Sequence, residues 1–489
     1  MKSLSLCAAL MFCAAGFHAQ TESSAFTNTG RGVATPFATD YHCLGINPAN
    51  LDIPIPYEGK SMTFGVFELG ASFYSEAFSK LEVRQNMFGE KIGKLSFQDQ
   101  KDLAAEFANS VNSGDIDIMT FGMAAQTGTF GSFGFSVRER IDFYSKIGDQ
   151  LSEIIWLGYA APYFENLVLF GGDTIPNTGD LSEETLNQVI QGYTPLENAQ
   201  SISQLVEGTE LRFSWLREFN LGWGKKLLSR DTWELYGGVG AKVLIGQGLM
   251  QLTSGGDGAA EAFTSMSPIF DIDYGDTGEE NPTSLPSDAP SLAPVGFGFG
   301  LDLGATLLIK QKFTISAAIT DIGQVTWDGN VYKLKDFQLT TFDNEGLESV
   351  DFIDQVTSLN GGDGVLEWEG DKELKTRLGT NARVGAGLNI NERFKIGVDV
   401  IAPLNDNGLG QYDNAVIAFG GEVAPVRWLK LQAGFVNGGN YDFKIPVGLV
   451  ISVANGTYEM GMASRDMVTF FSEQHPTVSA SMGFLRFRF

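Results

Sequence analysis

His42 and Cys43 stand side by side in a chain of 489 residues with three histidines and three cysteines. An imidazole next to a thiol is the minimum for a Cys/His nucleophile or the start of a metal site. One adjacent pair supplies too few ligands and no third group to orient the ring, so the pair reads as packed interior. Asp271, Asp273, Asp276, Glu279 and Glu280 are clustered carboxylates of the kind a hard cation takes, but they lack EF-hand spacing and read as a solvated acidic loop. The run Gly296, Gly298, Gly300 has a dinucleotide-loop look, yet residue 303 is Leu303 and no helix pattern follows. There is no Gly-x-Ser-x-Gly elbow, and past the leader only His42 and His475 could serve as a base, which speaks against a Ser/His hydrolase. No catalytic residue, metal site or cofactor is expected.

A second set of polar residues recurs at every other position. Arg138 and Arg140, then Glu218, Asp302, Arg377, Arg383 and Asp399, with Lys375, Asn381 and Lys395, alternate with apolar neighbours. Period two places one set on each face of a strand. Here the polar face would line an interior and the apolar face would meet lipid. If Leu211, Phe213 and Trp215 face lipid, then Arg212, Ser214, Glu218 and Asn220 face inward and Arg217 falls on the lipid side. Either it sits at the interface or a bulge resets the register. Mixed charge in a lumen serves either to hold an internal segment by salt bridges or to receive an amphipathic head group.

These residues need many short strands to position them, and the composition supplies them. Glycine is 59 of 489 residues, phenylalanine 37, and no stretch past Phe17 reaches the ~18 uninterrupted apolar residues of a membrane helix. A formal charge of −26 argues against nucleic acid as a partner. Lys2 precedes an apolar run from Leu4 to Phe17, then Ala19 and Gln20, which reads as a secretory signal peptide over 1–19. Cys7 and Cys13 leave with it, so Cys43 is the one mature thiol and no internal disulfide can form. Strand patterning begins at Ser61, is interrupted by a helix at 96–109 capped by Ser96 with Asp99, and resumes at Asp115. A short helix is expected within 180–191, and 254–294, rich in Asp, Glu, Pro, Gly and Ser, reads as an extended acidic loop. Short turns such as Asn455-Gly456 alternate with long excursions such as 338–373. The count comes to about fourteen strands of an all-β, antiparallel transmembrane barrel. The terminal strand, with Leu485, Phe487 and Phe489 alternating with Arg486 and Arg488, resembles the last strand of outer-membrane barrels of Gram-negative envelopes. That resemblance implies that the barrel assembly machinery reads these three apolar residues.

The N-terminal segment narrows the resemblance. Gly30-Arg31-Gly32, then Asp40, then Asn47-Pro48-Ala49-Asn50-Leu51 resembles the start of the FadL-type long-chain fatty-acid transporters. In that superfamily such elements belong to a hatch within a fourteen-stranded barrel. Gly298 to Gly304, Ala318 to Gly323 and Trp327 are similar to the same superfamily. The helix at 96–109 and the acidic loop depart from the characterised transporters and point to a separate branch. The resemblance implies residues 20–56 as hatch, with Gly30, Arg31, Gly32, Asp40, Asn47, Pro48 and Ala49 as its elements, and 57–489 as barrel. Independently of family, Pro48 lacks a backbone N–H and biases Asn47 to an extended or turn conformation.

The expected function is passive uptake of hydrophobic or amphipathic small molecules across the outer membrane, with membrane lipid, a hydrophobic ligand and the assembly machinery as partners. The alternative is a non-transporting barrel that serves an envelope or secretion complex as a partner protein or scaffold. A ligand-shaped apolar cavity beside the hatch would favour the first reading, and a sealed lumen with an exposed apolar loop surface the second.

Overall fold

The computed structural model describes residues 25–489 apart from 56, 58, 78–94, 255–259, 273, 275–279, 348–365, 407, 413, 440–442 and 468–476. The proposed leader and its cleavage point, His475, and Asp273, Asp276 and Glu279 of the acidic cluster lie outside the described residues.

Fourteen antiparallel strands close on themselves. They are β1 Met62–Ser75, β2 Val111–Gln126, β3 Ser132–Lys146, β4 Glu210–Ser229, β5 Trp233–Ser254, β6 Gly296–Ile309 and β7 Phe313–Trp327. The second half comprises β8 Asn381–Asn391, β9 Phe394–Pro403, β10 Val416–Val426, β11 Leu429–Asn437, β12 Val447–Val453, β13 Tyr458–Ser464 and β14 Thr477–Arg488. Each pairs with its successor, and β14 pairs back onto β1 from Thr63↔Arg488 to Tyr74↔Thr477. Closure removes the edges that would otherwise leave backbone N–H and C=O groups bare in lipid. The chain end is part of the seam: Phe489 accepts from the amides of Ser61 and Met62 and donates to the Met62 carbonyl.

Six tight turns, from 127–131 to 454–457, join strands at the end of the barrel where the chain finishes. All the long connections emerge at the opposite end. There the helix Phe97–Phe107, with Ser96 and Asp99 forming a capping box, packs on the helix Asp149–Leu157. Leu151, Ile154, Trp156, Phe164 and Leu252 form part of an apolar core beneath them. The short helix expected in 180–191 is one turn, Glu183–Leu186, followed directly by the strand Val189–Tyr193 of a small separate sheet. The acidic region is less loop-like than its composition suggests. Ala260–Met266 runs back antiparallel along β5, because Ala262, Thr264 and Met266 present an alternating buried face.

Outward-facing side chains on the barrel are large and apolar. Phe297, Phe299, Leu301 and Leu303 on β6, Ile315 on β7, Val398 and Val400 on β9, and Ile417 and Phe419 on β10 are all exposed. Ladder regularity breaks at one level in four successive strand pairs. On β1, pairing with β14 jumps from Val66↔Leu485 to Leu69↔Met482, and pairing with β2 skips Phe67. The β2–β3 register shifts between Met119 and Phe121, and β13–β14 between Glu459 and Gly461. Phe67 has a positive φ of 52° and projects outward at 70% exposure. Its neighbour Glu68 is thereby turned into the interior.

Candidate functional site

Residues 25–53 run inside the barrel; most of them are buried and none is exposed. A short helix Phe26–Thr29 lies against β12, β13 and β14; the 3-10 turn Asp40–Cys43 lies against β1, β2 and β3; the 3-10 turn Pro48–Asp52 lies against β4, β5 and β6. Asn47 starts the last of these. Its Oδ1 accepts from Ala49 N at 3.1 Å and its Nδ2 donates to Thr306 Oγ1 of β6 at 2.9 Å. Pro48 at the first position needs no N–H partner there. Asn50 donates to the carbonyls of Thr35 and Ala38, both at 2.9 Å, folding the segment on itself.

Glycines on the inner wall make this fit. A Cβ at Gly420 or Gly434 would collide with the Arg31 carbonyl, one at Gly238 with the backbone of Pro48 and Ala49, and one at Gly304 with the Asn47 amide. Phe26 fills the space over Gly461 and Gly483, and Phe37 that over Gly387 and Gly397. Gly30 approaches the backbone of Gly448 on β12, and Gly32 adopts a left-handed φ of 68° against Val436.

Ion pairs fix the segment at two sides. Arg31 donates to Glu422 of β10 at 2.9 Å and stacks over Phe37. Asp40 accepts from Arg486 of β14, which also bonds Glu459 of β13. Tyr41 Oη donates to Glu68 Oε1 at 2.6 Å, and His42 Nε2 lies 2.6 Å from Glu68 Oε2. Asp399 Oδ2 accepts from the amides of Ala34 and Thr35 at 3.0 and 2.8 Å. Burial pushes the Cys43 thiol well above its ordinary pKa, which leaves it protonated and unreactive. His42 and Cys43 thus lie in the packed interior, and among the described residues no cluster of three potential metal ligands occurs.

Between this segment and the long-loop end lies a second polar layer. Arg138 bonds Asp117, Arg140 donates to Glu218 at 3.0 Å, and Lys242 reaches Asp321 at 2.5 Å and Asp302 at 3.2 Å. Arg383 lies in the same layer. Two small cavities occur here. One, about 40 Å³, is bounded by residues including Phe143, Tyr144, Arg212, Phe213 and Gln411. The other, about 20 Å³, sits over Gly45. Each is large enough to hold water.

Of the residues expected to line the lumen, Arg138, Arg140, Glu218, Asp302, Arg383 and Asp399 face inward, and Arg377 does not. Residues 374–377 form a separate short strand in which Thr376 takes the inward place, bonded to Trp327 Nε1 at 2.8 Å, and Lys375 and Arg377 are exposed. The chain leaves the ladder at 378–380 and re-enters with inverted parity, so counting by twos from Arg383 fails across the break. Arg217 does face lipid, and Glu139 of β3 neutralises it at 2.5 Å. The bulge that accompanies it is on the partner strand, where Gln247 is the unpaired residue. Glu68, Lys242, Asp321, Glu422 and Glu459 are the interior charges that sequence reasoning passed over. For Glu422 and Glu459 the two-residue alternation within their strands was an available signal; for Glu68 the bulge at Phe67 hid it.

A family model described as a family of unknown function, DUF5723, matches residues 179–455, more than half of the chain. No curated protein matches the sequence. Among solved structures, a deletion mutant of the monoaromatic hydrocarbon channel TodX aligns over 95% of this chain and 98% of its own, with TM-score 0.47 and 10% identity. The Pseudomonas putida toluene transporter TodX aligns over 97% and 99%, with TM-score 0.43 and 11% identity. A Pseudomonas aeruginosa FadL homologue aligns over 97% of each chain, with TM-score 0.39 and 11% identity. These belong to the superfamily that the N-terminal motifs resemble.

Proposed function

The chain belongs to the DUF5723 family, whose function is unknown, and we propose that it is an outer-membrane β-barrel of the FadL type in which residues 25–53 act as a hatch. The observation that carries this reading is the combination of an apolar outer belt with a lumen packed from wall to wall by one segment. A belt of exposed Phe, Leu, Ile and Val on a closed barrel is stable in lipid and a liability in water. The terminal residues Leu485, Phe487 and Phe489 fit the assembly signal, and the leader fits export.

The transported class we propose is small hydrophobic or amphipathic molecules moving passively. With residues 25–53 packed against the inner wall, the hatch must shift for a hydrophobic molecule to pass along the lumen. The interrupted ladder from β13 to β2 borders Phe26, Tyr41 and His42 and supplies a place where the wall is less tightly bonded. The test is deletion of residues 21–50 with the leader retained. The barrel should still fold, and ion conductance in planar bilayers should rise. A folded barrel whose conductance stays at the wild-type level would refute the hatch role.

The long-loop end favours a second reading, a surface for a partner protein. Phe170 at 86% exposure and Leu196 at 63% project from the small sheet region, and no lysine or arginine occurs between Lys146 and Arg212. An exposed apolar and acidic surface of this kind suits a basic partner. If the hatch deletion leaves conductance unchanged, this becomes the better account.

A further inference from the structure

The rim at the tight-turn end carries a charge opposite to that of the chain. The whole sequence has a formal charge of −26, yet the stretches 225–234, 310–313, 389–394 and 424–429 hold seven lysines and arginines against three carboxylates. They contain the turns β4–β5, β6–β7, β8–β9 and β10–β11, four in succession around the barrel. The two remaining turns, 127–131 and 454–457, carry no charge. The cations therefore form one arc and not a ring.

Backbone bonds join the turns of this arc to one another. Lys310 N donates to the Thr232 carbonyl at 2.7 Å, Asn389 N to that of Lys312 at 2.8 Å, and Ala424 N to that of Arg393 at 2.8 Å. Neighbouring turns lie two strands, or roughly 10 Å, apart. Arg230, Lys310, Lys312, Arg393 and Arg427 are exposed, and among the described residues none of them makes an ion pair. Of the three carboxylates, Glu234 is already engaged by Lys226 at 3.0 Å, with Tyr236 and Gln311. Lys310 and Gln311 hold left-handed φ values of 51° and 55° at the centre of their turn, where Asn and Gly are the unstrained choices. A lysine kept there against backbone preference is a sign that its side chain is used. The apolar belt starts within three residues of these charges: Leu228, Phe313, Ile390, Phe394 and Trp428 are all exposed. Aromatic residues of this kind mark a membrane–water interface, and long basic side chains beside them reach the head groups.

We propose that this arc binds anionic phospholipids of the leaflet that meets the tight turns. Acyl chains lie on the belt, and each head-group phosphate sits between neighbouring turns within reach of cations from both. An anionic phosphodiester is favoured over a zwitterionic lipid, whose own ammonium group already neutralises its phosphate. A lipid also matches both halves of the surface, whereas an acidic protein would meet the cations and leave the adjoining aromatics unused. The inference rests on the membrane-barrel reading above and is independent of transport.

The test uses the full mature protein reconstituted in phosphatidylcholine vesicles that contain brominated phosphatidylglycerol or, in parallel, brominated phosphatidylcholine. Quenching of tryptophan fluorescence reports which lipid contacts the barrel. Wild-type protein should prefer phosphatidylglycerol by roughly three- to five-fold at low salt. The preference should fall towards unity when Arg230, Lys310, Lys312 and Arg427 are all replaced by Gln. It should persist when Lys333, Lys335, Lys372 and Lys375 at the long-loop end are replaced instead, a change of equal charge. Equal quenching by the two lipids in wild type, a preference kept in the rim variant, or one lost equally in both variants would each overturn the site and leave the arc to an acidic protein. Should the fourfold rim variant fail to fold, Lys310→Gln with Lys312→Gln gives the same comparison with a smaller step. A wild-type protein that enters neither vesicle would sink the membrane reading and this site with it.

Discussion

Arg486, three residues from the chain end, bonds Asp40, 446 positions earlier, and so ties the internal segment to the last strand laid into the barrel. The same guanidinium bonds Glu459 on β13 and lies over the Tyr41 ring. Arg488 donates to Glu459 at 2.9 Å, and Lys430 approaches it at 3.4 Å. The alternation that exposes Leu485 and Phe489 to lipid also turns both terminal arginines inward. One short strand thus carries the outer seam and an inner anchor.

Replacing Arg486 by Gln leaves Asp40 only the Arg488 guanidinium, 3.9 Å away, and Glu459 with fewer cations. Breaking a buried pair by removing one partner costs about 3–5 kcal/mol. Arg486→Gln should therefore lower the urea midpoint of the folded barrel strongly. Asp40→Asn, which leaves Arg486 its bond to Glu459, should do so by clearly less. Equal effects would show that Asp40 and not Glu459 is the partner that matters.

The glycines offer a test that leaves the charges intact. Gly420 and Gly434 sit on neighbouring strands beneath the Arg31 carbonyl, where even one methyl group has no room. Neither has a positive φ, so Ala is conformationally acceptable at both. Gly420→Ala with Gly434→Ala should leave strand pairing intact and push residues 30–32 off the wall. Limited proteolysis of the N-terminal segment and bilayer conductance should both increase. If neither changes, the close approach is not what seats the segment.

Much of the barrel was legible because period two and short turns are local signals. The terminal Leu485, Phe487 and Phe489 alternation and the Ser96 cap are cases where sequence spacing and geometry coincide. What local pattern could not convey was parity across interruptions. Arg377 was lost because the chain leaves the ladder at 378–380, and Glu68 because one left-handed residue, Phe67, flips the strand. The glycine content was equally ambiguous. It reads as turns, yet Gly238, Gly304, Gly420 and Gly434 are wall residues whose absent side chains admit the internal segment. That role depends on a contact hundreds of residues away.

The terminal aromatic row predicts an assembly defect. Phe64 on β1 stacks on Phe487 at 5.3 Å and on Phe489 at 5.9 Å, so the two last aromatics pack across the seam. Replacing Phe487 and Phe489 together by Ser removes that packing and the lipid-facing row. The yield of heat-modifiable folded barrel on unboiled gels should fall steeply. An unchanged yield would mean that the seam closes on backbone bonds alone.

Arg217 and Glu139 form an ion pair on the lipid face, with Trp215 Nε1 also donating to Glu139 at 2.8 Å. An unpaired Arg at the bilayer midplane costs about 2–4 kcal/mol, and less toward the interfaces. Glu139→Leu should therefore destabilise the barrel by up to that amount. Arg217→Leu, which leaves a carboxylate still bonded to Trp215, should cost less. The double variant Glu139→Leu with Arg217→Leu should recover most of the wild-type stability, because two apolar side chains replace a charge pair in an apolar medium. Unfolding from lipid vesicles measures all four proteins, and the coupling between the two positions should exceed the scatter of independent sites. Strictly additive losses would mean that the two side chains do not act as a pair in the membrane, and that Arg217 instead reaches the head groups.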